Sequence, residues 1–259
     1  MAAFDVLCLQ EIGQASHTMP GAPDDQPAEL AALLPGYQLF FGPAVHEFDG
    51  TGRPQRFGNL IATRLPVARV QHHLLPWPAD PAVTSMPRMC TSVTLTSPEL
   101  GPLRVMTTHL EYYSSIQRSA QAEAIRALHM EACAQAATPP TPEFDDAGSP
   151  FQAKLHTAQA ILCGDFNMPA TDPAYAALLQ PFELAGGARH QLYDAWHALH
   201  GSGKPHPPTF RLYDRRYGPD PVACDFVFVS GALAPRLRRL DVDGVTQVSD
   251  HQPVLVELA

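Results

Sequence analysis

The stretch Leu162-Cys163-Gly164-Asp165-Phe166-Asn167-Met168-Pro169 decides how the rest of the chain is read. Ile161, Leu162 and Cys163 arrive in a row, as in a buried strand. Gly164 then lets the backbone turn. Asp165 and Asn167 stand two apart, so an extended chain puts both polar groups on one side. Pro169 closes the strand, and Thr171-Asp172-Pro173 reads as an N-cap followed by a proline at the first helical position. A carboxylate and a carboxamide at the C-terminal end of a buried strand stand where α/β sheets bind ligands. An Asx-rich turn leading into a helix fits the same residues, so the stretch alone leaves both readings open.

Working outward, the chain offers many short strands and few helices. Strand-like runs are Phe4 to Leu9, Tyr37 to Phe41, Gly58 to Thr63, Val67 to Leu75, Met89 to Thr96 and Leu103 to Thr108. Ala223 to Val229, Leu237 to Val242 and Val254 to Leu258 follow in the second half. Ser119 to Ala136 is the clearest helix, with Ile125, Leu128 and Ala132 at helical spacing, and Thr138-Pro139-Pro140 stops it. Shorter helices are expected at Glu29 to Leu34 and Pro173 to Leu179. Residues 13–29, 48–57, 137–152 and 201–221 read as turns and loops, with 137–152 a mobile one. Packed sheets with helices outside suit this pattern better than one doubly wound sheet.

Composition narrows the class. The chain has 259 residues, 45% of them hydrophobic, enough for a sizeable core in a single domain over 1–259. No apolar run approaches the length of a membrane span. The net charge of −9 argues against a broad basic footprint for nucleic acid, though not against a local groove. Cys8, Cys90, Cys133, Cys163 and Cys224 are odd in number and lack metal or redox spacing. A reducing, cytoplasmic setting is the simpler expectation.

Several strands end in a polar residue. Glu11 follows Val6 to Leu9, His109 follows Val105 to Thr108, and Asp165 and Asn167 follow Ile161 to Cys163. Asp225 is flanked by Cys224 and Phe226-Val227-Phe228, and Asp250-His251 precedes Val254 to Leu258. Singly, Glu11 fits a solvated strand end and His109 a satisfied core histidine. Asp225 needs a partner if buried, and His251 would supply one. Together the set suits metal-assisted phosphate chemistry: hard carboxylate oxygens for Mg²⁺, a His–Asp pair, and amide or imidazole donors for phosphate oxygens. No phosphate-cradling glycine loop and no serine nucleophile motif is present.

In this order the residues resemble the endonuclease/exonuclease/phosphatase superfamily. The matching motifs are Leu9-Gln10-Glu11, Gly58-Asn59, Thr108-His109-Leu110, Gly164-Asp165-Phe166-Asn167, Asp225-Phe226-Val227-Phe228 and Ser249-Asp250-His251. The resemblance implies a four-layer, DNase I-like α/β sandwich: two mixed sheets face to face with helices outside. It implies Glu11 and Asp250 as metal carboxylates, Mg²⁺ (or Mn²⁺) being the expected ion. By the same resemblance Asp165 positions or deprotonates the attacking water. Asn167 and His109 contact phosphate oxygens, and His251, oriented by Asp225, acts as acid/base or phosphate ligand. His109-Leu110-Glu111 with Arg118 and Gln121 is similar to the tyrosyl-DNA phosphodiesterase 2 and sphingomyelinase branches. Trp196 and Pro208-Thr209-Phe210 have family-like settings, although Trp196 reads as a local staple.

The implied activity is metal-dependent hydrolysis of a phosphodiester, in nucleic acid or a smaller molecule. A lipid or inositol phosphate is the runner-up, and a non-catalytic binding module the alternative from another class. Nothing points to an obligate protein partner. Family members open with a strand ending in Asn, for which this chain has no counterpart ahead of the Glu motif. The strand at Phe4 to Leu9 is therefore expected to have one neighbour position empty.

Overall fold

The computed structural model describes residues 4–15, 23–140 and 148–259. Its elements are β1 (Val6–Gln14), α1 (Gln26–Leu33), β2 (Gln38–Phe48), β3 (Pro54–Thr63), β4 (Val67–Leu74), β5 (Met89–Ser97) and β6 (Gly101–His109). Then come α2 (Ser115–Ala137), β7 (Ala160–Asp165), α3 (Pro173–Leu178), β8 (Phe182–Glu183), β9 (Arg189–His190) and β10 (Leu192–Asp194). The chain ends with α4 (Ala195–His200), β11 (Asp225–Ser230), β12 (Leu237–Val242) and β13 (Val254–Leu258).

The larger sheet has six strands in the order β10-β11-β7-β6-β5-β4. It is mixed: β6 and β7 run parallel, and every other neighbouring pair is antiparallel. The parallel pair exists because α2 carries the chain back over one face, the crossover that parallel strands require. Facing the sheet on its other side are antiparallel β1-β3-β2 and the β12-β13 pair. Among the described residues β1 pairs with β3 alone.

Alternation along the strands sorts side chains between the two faces. On β11, Phe226 and Phe228 join Leu162, Phe166, Tyr175 and Ile125 under α2 and α3. Val227 and Val229 point the other way, onto β12 and β13. Val93, Leu95 and Val105 meet Ile61, Val6 and Phe40 of the smaller sheet. α1 lies outermost, with no buried residue of its own.

Three boundaries differ from expectation. α2 starts at Ser115 because the Ser114 hydroxyl accepts the Gln117 N–H at 3.2 Å, a cap lying ahead of the periodic residues. The turn residues of 48–57 occupy only the tip of a β2–β3 hairpin, where Asp49 Oδ1 accepts from Thr51 and Arg53 N–H groups. β8, β9, β10 and α4 are too short to show a period in sequence. Residues 141–147 of the loop expected at 137–152, and 16–22 of that at 13–29, lie outside the described residues.

α2 also braces the loops beside the strand ends. Its buried face carries Gln117 and Gln121 as well as Ala122, Ile125, His129 and Cys133. Gln117 Nε2 donates to Pro78 O at 2.8 Å, and Gln121 Oε1 accepts the Glu111 N–H at 2.9 Å. The Gln117 and Gln121 amides thus tie this buried face to Pro78 and Glu111, and Gln121 fixes the chain just after β6.

Candidate active site

The geometry starts at Gly164. Its φ of 140° is open to glycine, and a Cβ there would stand 2.0 Å from Thr108 O. That close approach sets the register of β6 and β7, so His109 lies beside Asp165 at the two C-terminal ends. Antiparallel β11 places Asp225 on the other side of Asp165. Three chemistry-bearing residues therefore sit abreast on neighbouring strands. Asn167 follows at φ 50°, its Nδ2 donating to Leu110 O at 2.9 Å and its N–H to Asp165 Oδ1 at 2.8 Å.

Glu11 comes from the facing sheet. Between Leu9 and Ile12 the β1–β3 register slips, so Gln10 and Glu11 together oppose Asn59. Glu11 has φ 59°, a left-handed conformation uncommon outside glycine, at a bulge of the kind found beside active sites. Gln10 bridges to the large sheet, Nε2 to Thr107 Oγ1 at 2.8 Å. Asn59, buried, donates to Met89 O at 3.1 Å and so holds β3 to β5.

His251 arrives on the last loop, bridged to Phe210 and stacked on its ring at 4.4 Å and 22°. Its Nδ1 lies 2.9 Å from Asp225 Oδ2, and its Nε2 3.8 Å from Asp165 Oδ2. Asp165 Oδ2 is also 3.5 Å from His109 Nε2, which is 3.9 Å from Glu11 Oε1. Asp250 stands next to His251, its main-chain O accepting the Arg211 N–H at 3.2 Å. Glu11, His109, Asp165, Asn167, Asp225 and His251 thus form one connected group, with Asp250 next to His251 in the chain and near enough to act on the charges of Glu11 and His251.

The charges in this cleft are strongly coupled. Burial, then the neighbouring Asp225, pushes Asp165 up to about 7, against the opposing pull of His251 and the Asn167 N–H. Burial works against a charged His251, but its hydrogen bond to Asp225 and the charges of Asp225, Asp165 and Asp250 outweigh it and raise it to about 9. His109 goes the other way. Burial, with Arg88 and His251 nearby, holds it well below the ordinary imidazole value and keeps it neutral. Glu11 is raised by burial despite His251, with Asp250 adding to the rise. The thiol of Cys224, beside Asp225, is held protonated by burial and by Asp165 and Asp225.

Among the described residues no lysine or arginine pairs with Glu11, Asp165, Asp225 or Asp250; His251 is the charged partner of the two aspartates, and neutral His109 lies between Glu11 and Asp165. Hard oxygen donors left with excess negative charge fit a small divalent cation. Arg88 and Arg118, which flank the His109 motif in sequence, are engaged elsewhere. Arg88 Nη2 is 3.2 Å from fully buried Glu111, and Arg118 Nη2 is 3.0 Å from Asp172.

A family model, described as the endonuclease/exonuclease/phosphatase family, matches residues 1–251. The chain belongs to this family. Members of the endonuclease/exonuclease/phosphatase family act as phosphoesterases and usually use a divalent metal. The solved structures it resembles include an endonuclease/exonuclease/phosphatase from Beutenbergia cavernae, at 22% identity and TM-score 0.61. That match covers 97% of this chain, which spans only 61% of the Beutenbergia chain. A mannosyl-6-phosphatase from Bacteroides thetaiotaomicron matches at 20% identity and TM-score 0.61, over 99% of this chain and 85% of its own. Truncated TDP2 from Caenorhabditis elegans matches at 17% identity and TM-score 0.59, over 96% and 82%. These likenesses establish the family's mixed α/β fold with several sheets. No curated protein sequence matches. No helix among the described residues is long and apolar enough to cross a membrane.

Three supporting residues, singled out in the sequence only by the resemblance and without a role, take their roles from the structure. Thr209 donates its hydroxyl to Asp225 Oδ2 at 2.6 Å and receives the Asp225 N–H at 3.1 Å. Phe210 backs His251. Glu111 is the buried hub of the loop after His109: it binds Arg88 and accepts the Tyr113 N–H at 2.9 Å, while its own carbonyl accepts from Arg118 at 3.0 Å. A Thr and a Phe directly after two prolines carried the only sequence signal. Trp196, expected as a staple, donates Nε1 to Lys204 O at 3.2 Å and meets the His200 ring, tilted by 50°, at 4.0 Å.

Proposed function

We propose that this chain is a divalent-metal-dependent phosphodiesterase that cleaves its substrate by attack of water. The observation that carries the reading is the row His109–Asp165–Asp225 at adjoining strand ends, with His251 spanning the two aspartates. Glu11 and Asp250 would hold Mg²⁺ or Mn²⁺. When bound, the ion would polarise a phosphoryl oxygen and offset its charge.

Asp165 takes the proton of the attacking water as the water oxygen bonds to phosphorus. Its value of about 7 makes it a base matched to neutral pH. The bond to the ester oxygen breaks on the opposite side, and that oxygen takes a proton from His251 Nε2. Proton return from Asp165 to His251, 3.8 Å away, resets the pair. Neutral His109 and the Asn167 amide supply donors to the phosphate oxygens. Asp225 keeps Nδ1 of His251 protonated and the ring in place, as Thr209 does for Asp225.

A diester is favoured because organic surface lies close by. Tyr112 and Tyr113, three and four residues beyond His109, stand exposed and edge to face at 4.9 Å. Such a pair suits an aromatic or apolar group on the second ester arm. Hydrolysis of bis-p-nitrophenyl phosphate against p-nitrophenyl phosphate, with Mg²⁺ or Mn²⁺ and with Asp165→Ala as control, tests this. Diester cleavage lost in the variant is expected. Preference for the monoester would shift the reading to a lipid, inositol or sugar phosphate, and inertness toward both would leave a binding module.

A further inference from the structure

A second set of nitrogen and oxygen donors meets at the start of α4, apart from the cleft. Asp194 closes β10 and caps α4, its Oδ1 accepting the His197 N–H at 2.7 Å. One turn on, His197 Nδ1 lies 3.8 Å from the same oxygen. His206 reaches back from the following loop, Nε2 to Asp194 Oδ2 at 3.0 Å. The two imidazole rings stand 4.4 Å apart. One donor atom from each of the three residues lies within 4.8 Å of the other two.

A carboxylate that caps a helix and accepts from a histidine would account for one of these contacts. It does not account for two imidazoles turned onto the same carboxylate. The Tyr175 hydroxyl is buried against that carboxylate too, and its ring meets that of His206 edge to face. Exposure runs the same way: the side chains of Asp194, His206 and His197 are 3%, 10% and 26% exposed, so the set is buried at its base and open at His197.

We propose that Asp194, His197 and His206 form a second metal site, for a borderline-soft divalent ion of the zinc type. Two imidazoles and one carboxylate, with water in the fourth position, is a donor set that Zn²⁺ takes tetrahedrally. Bonds of about 2.1 Å space tetrahedral donors about 3.4 Å apart. His206 Nε2 lies 3.0 Å from Oδ2 and His197 Nδ1 3.8 Å from Oδ1, and one donor atom from each residue lies within 4.8 Å of the others, so an ion would draw the set together by a small shift. Mg²⁺, which prefers oxygen throughout, would be a poor occupant. The Tyr175 hydroxyl is the ready partner for the fourth ligand. An ion here ties α4 to the segment His206-Pro207-Pro208-Thr209, and Thr209 holds Asp225. The site would therefore brace the loop behind the catalytic histidine.

The test uses Co²⁺ as a spectroscopic stand-in, added to the full chain in excess Mg²⁺. One equivalent should give the intense visible absorption of a tetrahedral nitrogen–oxygen site, displaced by Zn²⁺ and not by further Mg²⁺. His197→Ala should abolish the band, and so should His206→Ala. Because His197 is half-buried on the surface of α4, its variant should keep the parent circular dichroism. Glu11→Gln should keep the band. No band at one equivalent, a band surviving both histidine variants, or a band lost in Glu11→Gln would each overturn the site.

Discussion

Asp225 Oδ2 accepts from the Thr209 hydroxyl at 2.6 Å and from Nδ1 of His251 at 2.9 Å, with the Cys224 thiol at 3.5 Å. A carboxylate at the start of an apolar strand is thereby satisfied, and its charge is directed at one imidazole. Asp225→Asn keeps the shape and removes the charge. His251 should then titrate well below its present value of about 9. The rate should fall by about 10- to 100-fold, the usual cost of losing such an orienting partner. Histidine NMR titration and kcat on a diester check both; an unchanged His251 titration would remove Asp225 from this role.

The pH profile follows from two opposed groups. Cleavage needs Asp165 ionised and His251 protonated. Activity should rise through a limb at or below about 7 and fall through one near 9, these values belonging to the coupled set. The acid limb should move down when metal is bound, because a nearby cation favours the carboxylate. Measuring kcat/KM from pH 5 to 10 at two metal concentrations tests this. A profile flat across pH 7 to 10 would contradict it.

The same groups affect stability. Asp165 has a folded value raised above the unfolded one, so its contribution is present at low pH and lost as pH rises from about 4 to about 7. His251 is likewise raised, and its contribution is lost between about 6.5 and about 9. The metal-free chain should therefore weaken steadily across this window. Asp165→Asn removes the buried charge and should stabilise the metal-free chain at pH 8 by about 1–2 kcal/mol, a tenfold change in proton affinity corresponding to about 1.4 kcal/mol. Activity should fall by about 10²- to 10⁴-fold in the same variant. Urea midpoints at pH 5 and pH 8 read the first effect.

Much of this was legible in sequence because it rests on local pattern. Apolar runs closed by Glu11, His109 and Asp165, and one preceded by Asp250-His251, announced strand ends with chemistry on them, and the fold draws Glu11, His109, Asp165 and His251 together. The β1 bulge at Glu11 was not legible, since only pairing with β3 reveals that Gln10 and Glu11 share one opposite residue. Nor were the Thr209–Asp225 and Asp194–His206 contacts, which join residues by loop closure and leave no period. Arg88 and Arg118, which flank the His109 motif in sequence, are both held by carboxylates, Glu111 and Asp172, that lie 23 and 54 residues away.

Metal removal gives the next test. Chelation should abolish hydrolysis, and Mg²⁺ should restore it. Glu11→Gln keeps the bulge and its size while removing the carboxylate charge. It should raise the Mg²⁺ concentration needed for half-maximal rate by at least about 10-fold, comparable to the smaller losses seen around metal ligands. A Mg²⁺ titration unaltered by Glu11→Gln would move the ion elsewhere in the cleft.

The Arg88–Glu111 pair makes the last prediction. Both side chains are nearly fully buried, at 7% and 1% exposed, and Arg88 donates Nε and Nη2 to Glu111 Oε2, each at 3.2 Å. Glu111→Ala would leave the guanidinium buried without its counter-charge and free the Tyr113 N–H. Breaking one side of a buried pair costs about 3–5 kcal/mol, far more than the pair contributes against an apolar replacement. Arg88→Met with Glu111→Leu should therefore recover most of the stability lost in Glu111→Ala. It should not recover activity in full, because Glu111 also shapes the turn from His109 to Tyr113, and Arg88 helps keep His109 neutral. Thermal unfolding and kcat of the two variants separate these effects. If the double variant regains both, the pair serves stability alone and the loop beyond His109 holds its shape without it.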